Sequence, residues 1–537
     1  MHTSPGRRRW WLVTTFAALA ALAAATAAYG ATTHRSAGAT LVVDNSFTLK
    51  TSDPQRAFDP TGSIVDRAIY DTLFTYRRGD LAHPIPLLVS SWKASNSAKL
   101  FSFTLKKNVR FANGAPLTSA DVVFSLNRLI NIKGNPAFLL DGIKVSAKGK
   151  FTVVMTSATP AGQLPSILAN PSTGIVNSKL VKANGGTDAA DASTADKAEQ
   201  WLNSSASLGA GSGPYTLQSF STTSQVTLVP NKKYWGAPKP KFTSVVVRNM
   251  IAATQLINIQ RGTHEVAIDL ASDQAQSLKG NSKLKVSLQP STWVFWLFAN
   301  DSPSISAVTS NKQWQTAVRY GLDYHSILSV AGPGAYQTPG IIPSMFLGAL
   351  PAKEAIKQNV AKAKAALSAS GQGSQSVTLE YPSDLTINGV PFATLAQKVQ
   401  SNLQAIGINV QLSGAPTGTW LTKYRSGSMA FGLSLWGPDY PDPADYLTFA
   451  PGELVGLRAG WASGADAATS KLASKALVTT APKARQALYQ QYQRGLNARG
   501  PYFPLMQPTQ VFVATKDLVN AVYNATYSID VTQVAPK

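Results

Sequence analysis

Beginning at Thr40, short runs with an apolar residue at every second position alternate with longer stretches whose apolar residues fall three and four apart. The first pattern is that of half-buried strands and the second that of helices with one buried face, so the chain predicts mixed α/β layers rather than a bundle or a repeat array. Residues 41–43, 101–105, 151–155, 225–229 and 244–247 read as strands. Residues 120–128 read as a helix capped by Thr118 or Ser119, and 312–328 as a helix with Trp314, Val318 and Leu322 inward. Further helices at 359–370 and 393–405 each end close to a glycine, and a strand resumes at 407–412. A helix feeding a strand through a glycine is what open sheets covered by helices require. Residues 183–213 are rich in Ala, Ser, Gly and Asp, with one short helical pattern at 195–202, and read as a surface excursion.

The length of 537 residues implies two or three folded units. The absence of cysteine excludes thiolate metal sites, cysteine nucleophiles, disulfides and a lipid-modified cysteine. With 49 Lys and Arg against 27 Asp and Glu the formal net charge is +22. Basic residues that follow a phosphate backbone cluster as a stripe or tail. Here the longest run is Arg7-Arg8-Arg9, and the doublets beyond it, such as Arg77-Arg78 and Lys232-Lys233, lie far apart. No nucleic-acid partner is expected; a dispersed positive surface with weak attraction to anionic lipid or cell-wall polymer is.

The arginine triplet precedes Trp10-Trp11-Leu12-Val13 and an alanine-rich run to Ala28, the charged-then-apolar order of a secretory signal. A signal peptide over 1–31 is expected, with a retained single anchor as the alternative and Arg8-Arg9 as a weak twin-arginine feature. Either way, the rest of the chain is exported.

Catalytic motifs are sparse. His264-Glu265 begins like a zinc-protease helix, but the position of the second ligand is Ile268. Ser90 and Lys93 have the spacing of penicillin-interacting enzymes without the companion motifs. There is no Gly-x-Ser-x-Gly elbow, phosphate loop or strand-borne Gly-x-Gly-x-x-Gly. No catalytic residue, metal or cofactor is expected, and an exported hydrolase or cell-wall enzyme stands only as an alternative.

Several segments then fall into a recognisable order: Phe58-Asp59-Pro60, Ile69-Tyr70-Asp71-Thr72-Leu73-Phe74, and the run Val109-Arg110-Phe111-Ala112-Asn113-Gly114-Ala115-Pro116-Leu117-Thr118-Ser119-Ala120-Asp121-Val122. They continue with Gly211-Ser212-Gly213-Pro214-Tyr215, Tyr234-Trp235, Val318-Arg319-Tyr320-Gly321-Leu322-Asp323 and Trp436-Gly437-Pro438-Asp439-Tyr440-Pro441-Asp442-Pro443. In these segments the chain resembles the family 5 extracellular solute-binding proteins, which include the dipeptide- and oligopeptide-binding components of ABC importers. The resemblance implies an α/β, two-lobed periplasmic-binding-protein fold of the large three-subdomain type II form, with mixed sheets and a hinge. It places one lobe at 39–298 with an inserted subdomain at about 84–206, the other at 299–501, and a return to the first at 502–537. The implied partners are a short peptide or other amine-bearing solute, and the permease subunits of an ABC transporter with their cytoplasmic ATPases; the binding protein itself is expected to be a monomer. A binding protein that presents ligand to a signalling receptor is a further alternative.

In peptide-binding relatives the aspartate matching Asp439 pairs with the ligand's amino terminus. A buried ammonium needs an anion, so this carboxylate selects amine-bearing ligands. The competing reading has Asp439 hydrogen-bonding the turn set by Pro438 and Pro441. Trp436 and Tyr440 are expected nearby, Trp436 as pocket wall or core. In 292–298 alternation puts Thr292, Val294, Trp296 and Phe298 on one face and Trp293, Phe295 and Leu297 on the other. Only one set can face the cleft, and Trp293 is the candidate. Asn45 and Phe58 complete the expected ligand contacts. Some relatives carry a basic residue just before the tryptophan, for a ligand carboxylate; Phe431-Gly432-Leu433-Ser434-Leu435 offers none.

Overall fold

The computed structural model describes residues 38–537, so the expected signal peptide at 1–31 lies outside the described residues. A seven-stranded mixed sheet runs in the order Leu284–Pro290, Thr509–Thr515, Glu265–Ala267, Thr40–Asn45, Ser244–Asn249, Gln225–Pro230, Tyr215–Ser219. A five-stranded mixed sheet runs Asn409–Ala415, Ser376–Pro382, Phe431–Trp436, Val294–Ala299, Tyr502–Met506. Its parallel pair Ser376–Pro382 and Asn409–Ala415 is joined by the helix Phe392–Gln404, the crossover that parallel strands need. A four-stranded antiparallel sheet spans Val89–Ala94, Leu100–Leu105, Thr152–Ser157 and Ile143–Ala147, against which the helix Ser119–Ile132 packs. That helix starts at Thr118 in a capping box, Asp121 Oδ2 accepting from Thr118 N at 2.9 Å.

The chain passes from the seven- to the five-stranded sheet through 291–293 and returns through 507–508. Strands Val294–Ala299 and Tyr502–Met506 therefore both belong to the second sheet, a few residues outside the expected changeovers at 298/299 and 501/502. The two crossings lie side by side: Ser291 N donates to Pro508 O at 2.8 Å and Gln507 Nε2 to Ser291 O at 2.5 Å. Gln507 is fully buried, and its Oε1 accepts from Ser344 N at 2.9 Å.

Three local readings change. Strand Val294–Ala299 is buried on both faces, Trp296 and Phe298 packing in one core and Phe295 and Leu297 in another. A central strand covered on both sides loses the apolar–polar contrast that alternation relies on. The helix expected over 312–328 is two, Lys312–Gly321 and Tyr324–Leu328, because Asp323 turns out as an N-cap and accepts from His325 N at 3.1 Å and Ser326 N at 3.2 Å. The segment 183–213 is not wholly superficial: Ala192, Ala198 and Leu202 are buried, and the Asp196 side chain is fully enclosed.

Asp196 belongs to a buried ion cluster around Arg128. The guanidinium makes five hydrogen bonds, to Asp53 Oδ1 and Oδ2 at 2.7 and 2.6 Å, Asp196 Oδ2 and Oδ1 at 2.7 and 2.8 Å, and Gln55 Oε1 at 2.8 Å. All five donors of the fork are thereby used. The cluster ties the Ser119–Ile132 helix to the segment that leads into Phe58 and Asp59.

Asp66 is the opposite case. It is 1% exposed within the helix Pro60–Ile69, and neither carboxylate oxygen has a hydrogen-bond partner. Burial, then the nearby Asp59 and Asp53, raise its pKa well above the usual carboxylate range. A raised folded-state pKa means that the contribution is fully present below the unfolded value and is lost as pH rises through the folded one. Asp66→Asn is therefore expected to gain in melting temperature over the wild type between pH 4 and pH 8. A gap that stays constant with pH contradicts an unpaired buried acid.

Candidate functional site

Between the two large sheets lies a cavity of about 650 Å³. Among the candidate residues Asn45, Phe58, Trp293, Asp439 and Tyr440 line it, whereas Trp436 lines a smaller neighbouring cavity. Trp293 comes from the first crossing and lies against Gly437, where an added Cβ would sit 2.4 Å from the indole. Only glycine lets the Trp436–Tyr440 segment approach the ring this closely.

The Asp439 carboxylate receives no hydrogen bond from the described residues. Its backbone N donates instead to Asp445 Oδ2 at 3.1 Å, and Trp436 Nε1 donates to the same oxygen at 2.9 Å. The turn is thus held by Asp445 rather than by Asp439's own side chain, and Trp436 acts through Asp445. Asp442 is an anchor as well, paired with Arg485 at 2.7 and 3.0 Å and accepting from Ser166 Oγ at 3.0 Å. Tyr76 OH donates to Pro441 O at 3.3 Å, so the segment rests on the first lobe while its strand belongs to the second.

Burial alone pushes the Asp439 carboxyl up to about 6. Asp445 is raised well above the ordinary range, first by burial and then by the charge of Asp439. Two further carboxylates reach the cavity. Asp59 caps the helix Pro60–Ile69, accepting from Gly62 N at 2.7 Å, and burial raises its pKa. Asp269 accepts from Ser46 N at 2.6 Å, Gln255 Nε2 at 2.9 Å and Asn45 Nδ2 at 3.0 Å, all on Oδ2. Its side chain is reached by water through the cleft yet enclosed by protein on its other sides, and that desolvation raises its pKa. Asn45 thus positions Asp269 at the cavity wall.

Among the described residues no Lys, Arg or His lines the cavity, although the chain carries 49 Lys and Arg. A low-dielectric cleft with three carboxylates and no basic side chain favours a cationic group. An ammonium placed at Asp439 would bind the ionised carboxylate, so protonation would compete with it. With Asp439 titrating at about 6, affinity for an amine-bearing ligand is expected to fall about tenfold from pH 7.5 to pH 5. Calorimetry across that range checks the sign; a flat profile contradicts it.

Asp269 and Asp445 escaped the sequence reading, as did the hairpin Thr386–Ile387 to Val390–Pro391, whose Asn388 Nδ2 donates across the cleft to Gln510 Oε1 at 3.1 Å. The hairpin had a signal, the Asn388-Gly389 pair with φ of 49° and 77°. Asp445 had none, being one more acid after a proline.

The family model for bacterial extracellular solute-binding proteins, family 5 (Middle), matches residues 83–453. The chain is 30% identical over 500 residues to the Probable D,D-dipeptide-binding periplasmic protein DdpA of Escherichia coli (strain K12), covering 90% of this chain and 91% of that one. It is 24% identical over 480 residues to the periplasmic murein peptide-binding protein MppA of the same strain, covering 85% of each. Among solved structures, HbpA2 from Haemophilus parasuis superposes with a TM-score of 0.80 at 19% identity, over 93% of this chain and 100% of that one. The two-lobed fold, the cleft between its sheets and these matches agree, and the chain belongs to the family 5 bacterial extracellular solute-binding proteins.

Proposed function

We propose that the protein is an exported binding component of an ABC importer that encloses a short peptide, or another amine-bearing solute, between its lobes and delivers it to the permease. The observation that carries this reading is the Asp439 carboxylate, which the described residues leave without a hydrogen-bond partner in a cavity to which they contribute no basic side chain. Asp439 is the anchor for the ligand's ammonium, Trp293, Tyr440 and Phe58 supply apolar walls, and Asn45 orients Asp269. The strand Phe431–Trp436 offers no cation for a ligand carboxylate, so the amino end is the recognised one. The D,D-dipeptide specificity in the name of a relative 30% identical along nearly the whole chain makes such dipeptides the first class to test.

Ligand contacts to both lobes favour the closed state, the form that docks on a permease. The family consists of solute-binding proteins, and delivery requires no covalent step. A D,D-dipeptide at about 100 times its dissociation constant is expected to stabilise the protein by about 2.7 kcal/mol, reversibly. Mass spectrometry of ligand released afterwards should return the intact dipeptide. A cleaved product, or no stabilisation by any amine-bearing peptide, contradicts the reading.

A further inference from the structure

Beside the main cleft lies a second chamber of about 450 Å³, between the inserted four-stranded region and the segment following Trp436. The two cavities share Asp439 and Tyr440 as a common wall. Among the described residues the charged side chains lining the chamber are Asp141, Asp439, Asp445 and Glu453, with no Lys, Arg or His. Asp141 and Glu453 stand exposed at its rim. Asp445 is different, 7% exposed and lining the chamber. Its Oδ2 takes both bonds from Trp436 Nε1 and Asp439 N, which fixes the carboxylate's orientation. No described residue donates to Oδ1.

A carboxylate oxygen that opens on the chamber without a protein donor, in a residue only 7% exposed and beside a second carboxylate that also lacks one, must be neutralised by a proton or by an arriving cation. Among the described residues no group of acidic, histidine or cysteine side chains is arranged to hold a metal ion. The apolar residues Leu139, Leu164, Ala473 and Leu477 line the rest of the chamber and suit the methylene stem of a long side chain.

We propose that this chamber is a subsite for a second cationic group on the ligand, the ammonium or guanidinium of a basic side chain, received by Asp445 Oδ1. This deepens the proposed function and rests on it: the ligand's amino terminus sits at Asp439 while its side chain passes Tyr440 into the chamber. The preferred substrates are then peptides with a basic residue rather than purely apolar ones.

The test is calorimetry on the full-length protein with paired dipeptides that differ only in lysine against its uncharged isostere norleucine, each with a free amine and with the amine acetylated. The lysine peptide is expected to bind at least about tenfold more tightly, as a hydrogen bond to a buried charge warrants. Asp445→Asn should abolish that advantage. Glu453→Gln, at the exposed rim, should reduce the advantage by less than about threefold. Equal binding of lysine and norleucine peptides, with acetylation still harmful, overturns the subsite and leaves the amine reading standing. Indifference to acetylation overturns both. Should Asp445→Asn not fold, the wild-type comparison of the two side chains still decides.

Discussion

Asp439→Asn is expected to weaken binding of an amine-bearing ligand by about 2–5 kcal/mol, because it would leave the ammonium enclosed without an anion. The variant keeps the size of the side chain, and the turn survives because its bonds run through Asp445 Oδ2 rather than through Asp439's carboxylate. Melting temperature without ligand should therefore change little, or rise above pH 6, since the wild-type carboxyl is costly to ionise there. Affinity and stability move separately, which distinguishes a ligand anchor from a structural residue. Titration calorimetry at pH 7.5 reads the first and a thermal melt the second. Unchanged affinity would retire Asp439 as the anchor.

Arg128→Met is expected to destabilise the fold by about 3–5 kcal/mol, as the loss of one partner from a buried ion cluster does. The substitution leaves Asp53 and Asp196, both fully enclosed, with backbone donors and with Arg56 at 3.4 and 3.1 Å as the remaining cation beside them among the described residues. The effect should extend to the cleft, since the 53–56 segment leads directly to Phe58 and Asp59. Urea denaturation is the measurement, and a midpoint equal to the wild type would mean that the cluster contributes no net stability. Simultaneous replacement of Arg128, Asp53 and Asp196 by apolar residues of similar volume should recover much of the loss, because then no charge is left unpaired.

These residues mark how far the linear chain can be read. Thr118 is one of two cap candidates because a helix cap is a local signal, and the structure places it in a capping box with Asp121. Asp439 is visible because it stands between prolines after a tryptophan, within a segment of fixed composition. Asp196 is hidden for the opposite reason: it lies in an Ala-, Ser- and Gly-rich stretch that reads as solvated, and its partner is 68 residues away. Strand Val294–Ala299 misleads because alternation presumes one wet face, and this strand has cores on both. The break after Gly321 is another local signal, an Asp323 cap, overridden in the reading by apolar spacing that continues through Leu322 and Ile327. Asp445 and Asp269 acquire their character wholly from tertiary enclosure, which no spacing rule registers.

The diagnostic segments find a structural explanation in one place. Asp71 Oδ2 accepts from Ser212 Oγ at 2.9 Å and from Trp235 Nε1 at 2.8 Å, joining three of the recognised motifs. An added Cβ at Gly211 would lie 2.0 Å from the Ile69 carbonyl oxygen, so glycine is required for that approach. None of these residues lines the main cavity. These three motifs thus report on architecture, whereas the diagnostic segments at 58–60 and 437–441 line the cavity.

Recognition of the ligand by its ammonium at Asp439 predicts that binding depends on a free amine. The most direct measurement is a calorimetric cycle at pH 7.5, with wild type and Asp439→Asn each titrated with a dipeptide and with its N-acetylated form. Acetylation is expected to weaken binding to the wild type by at least about thirtyfold and to the variant by no more than about threefold, the coupling of a close charge pair in a cleft. Equal affinity of the wild type for the two peptides, or the same penalty in both proteins, would contradict the account.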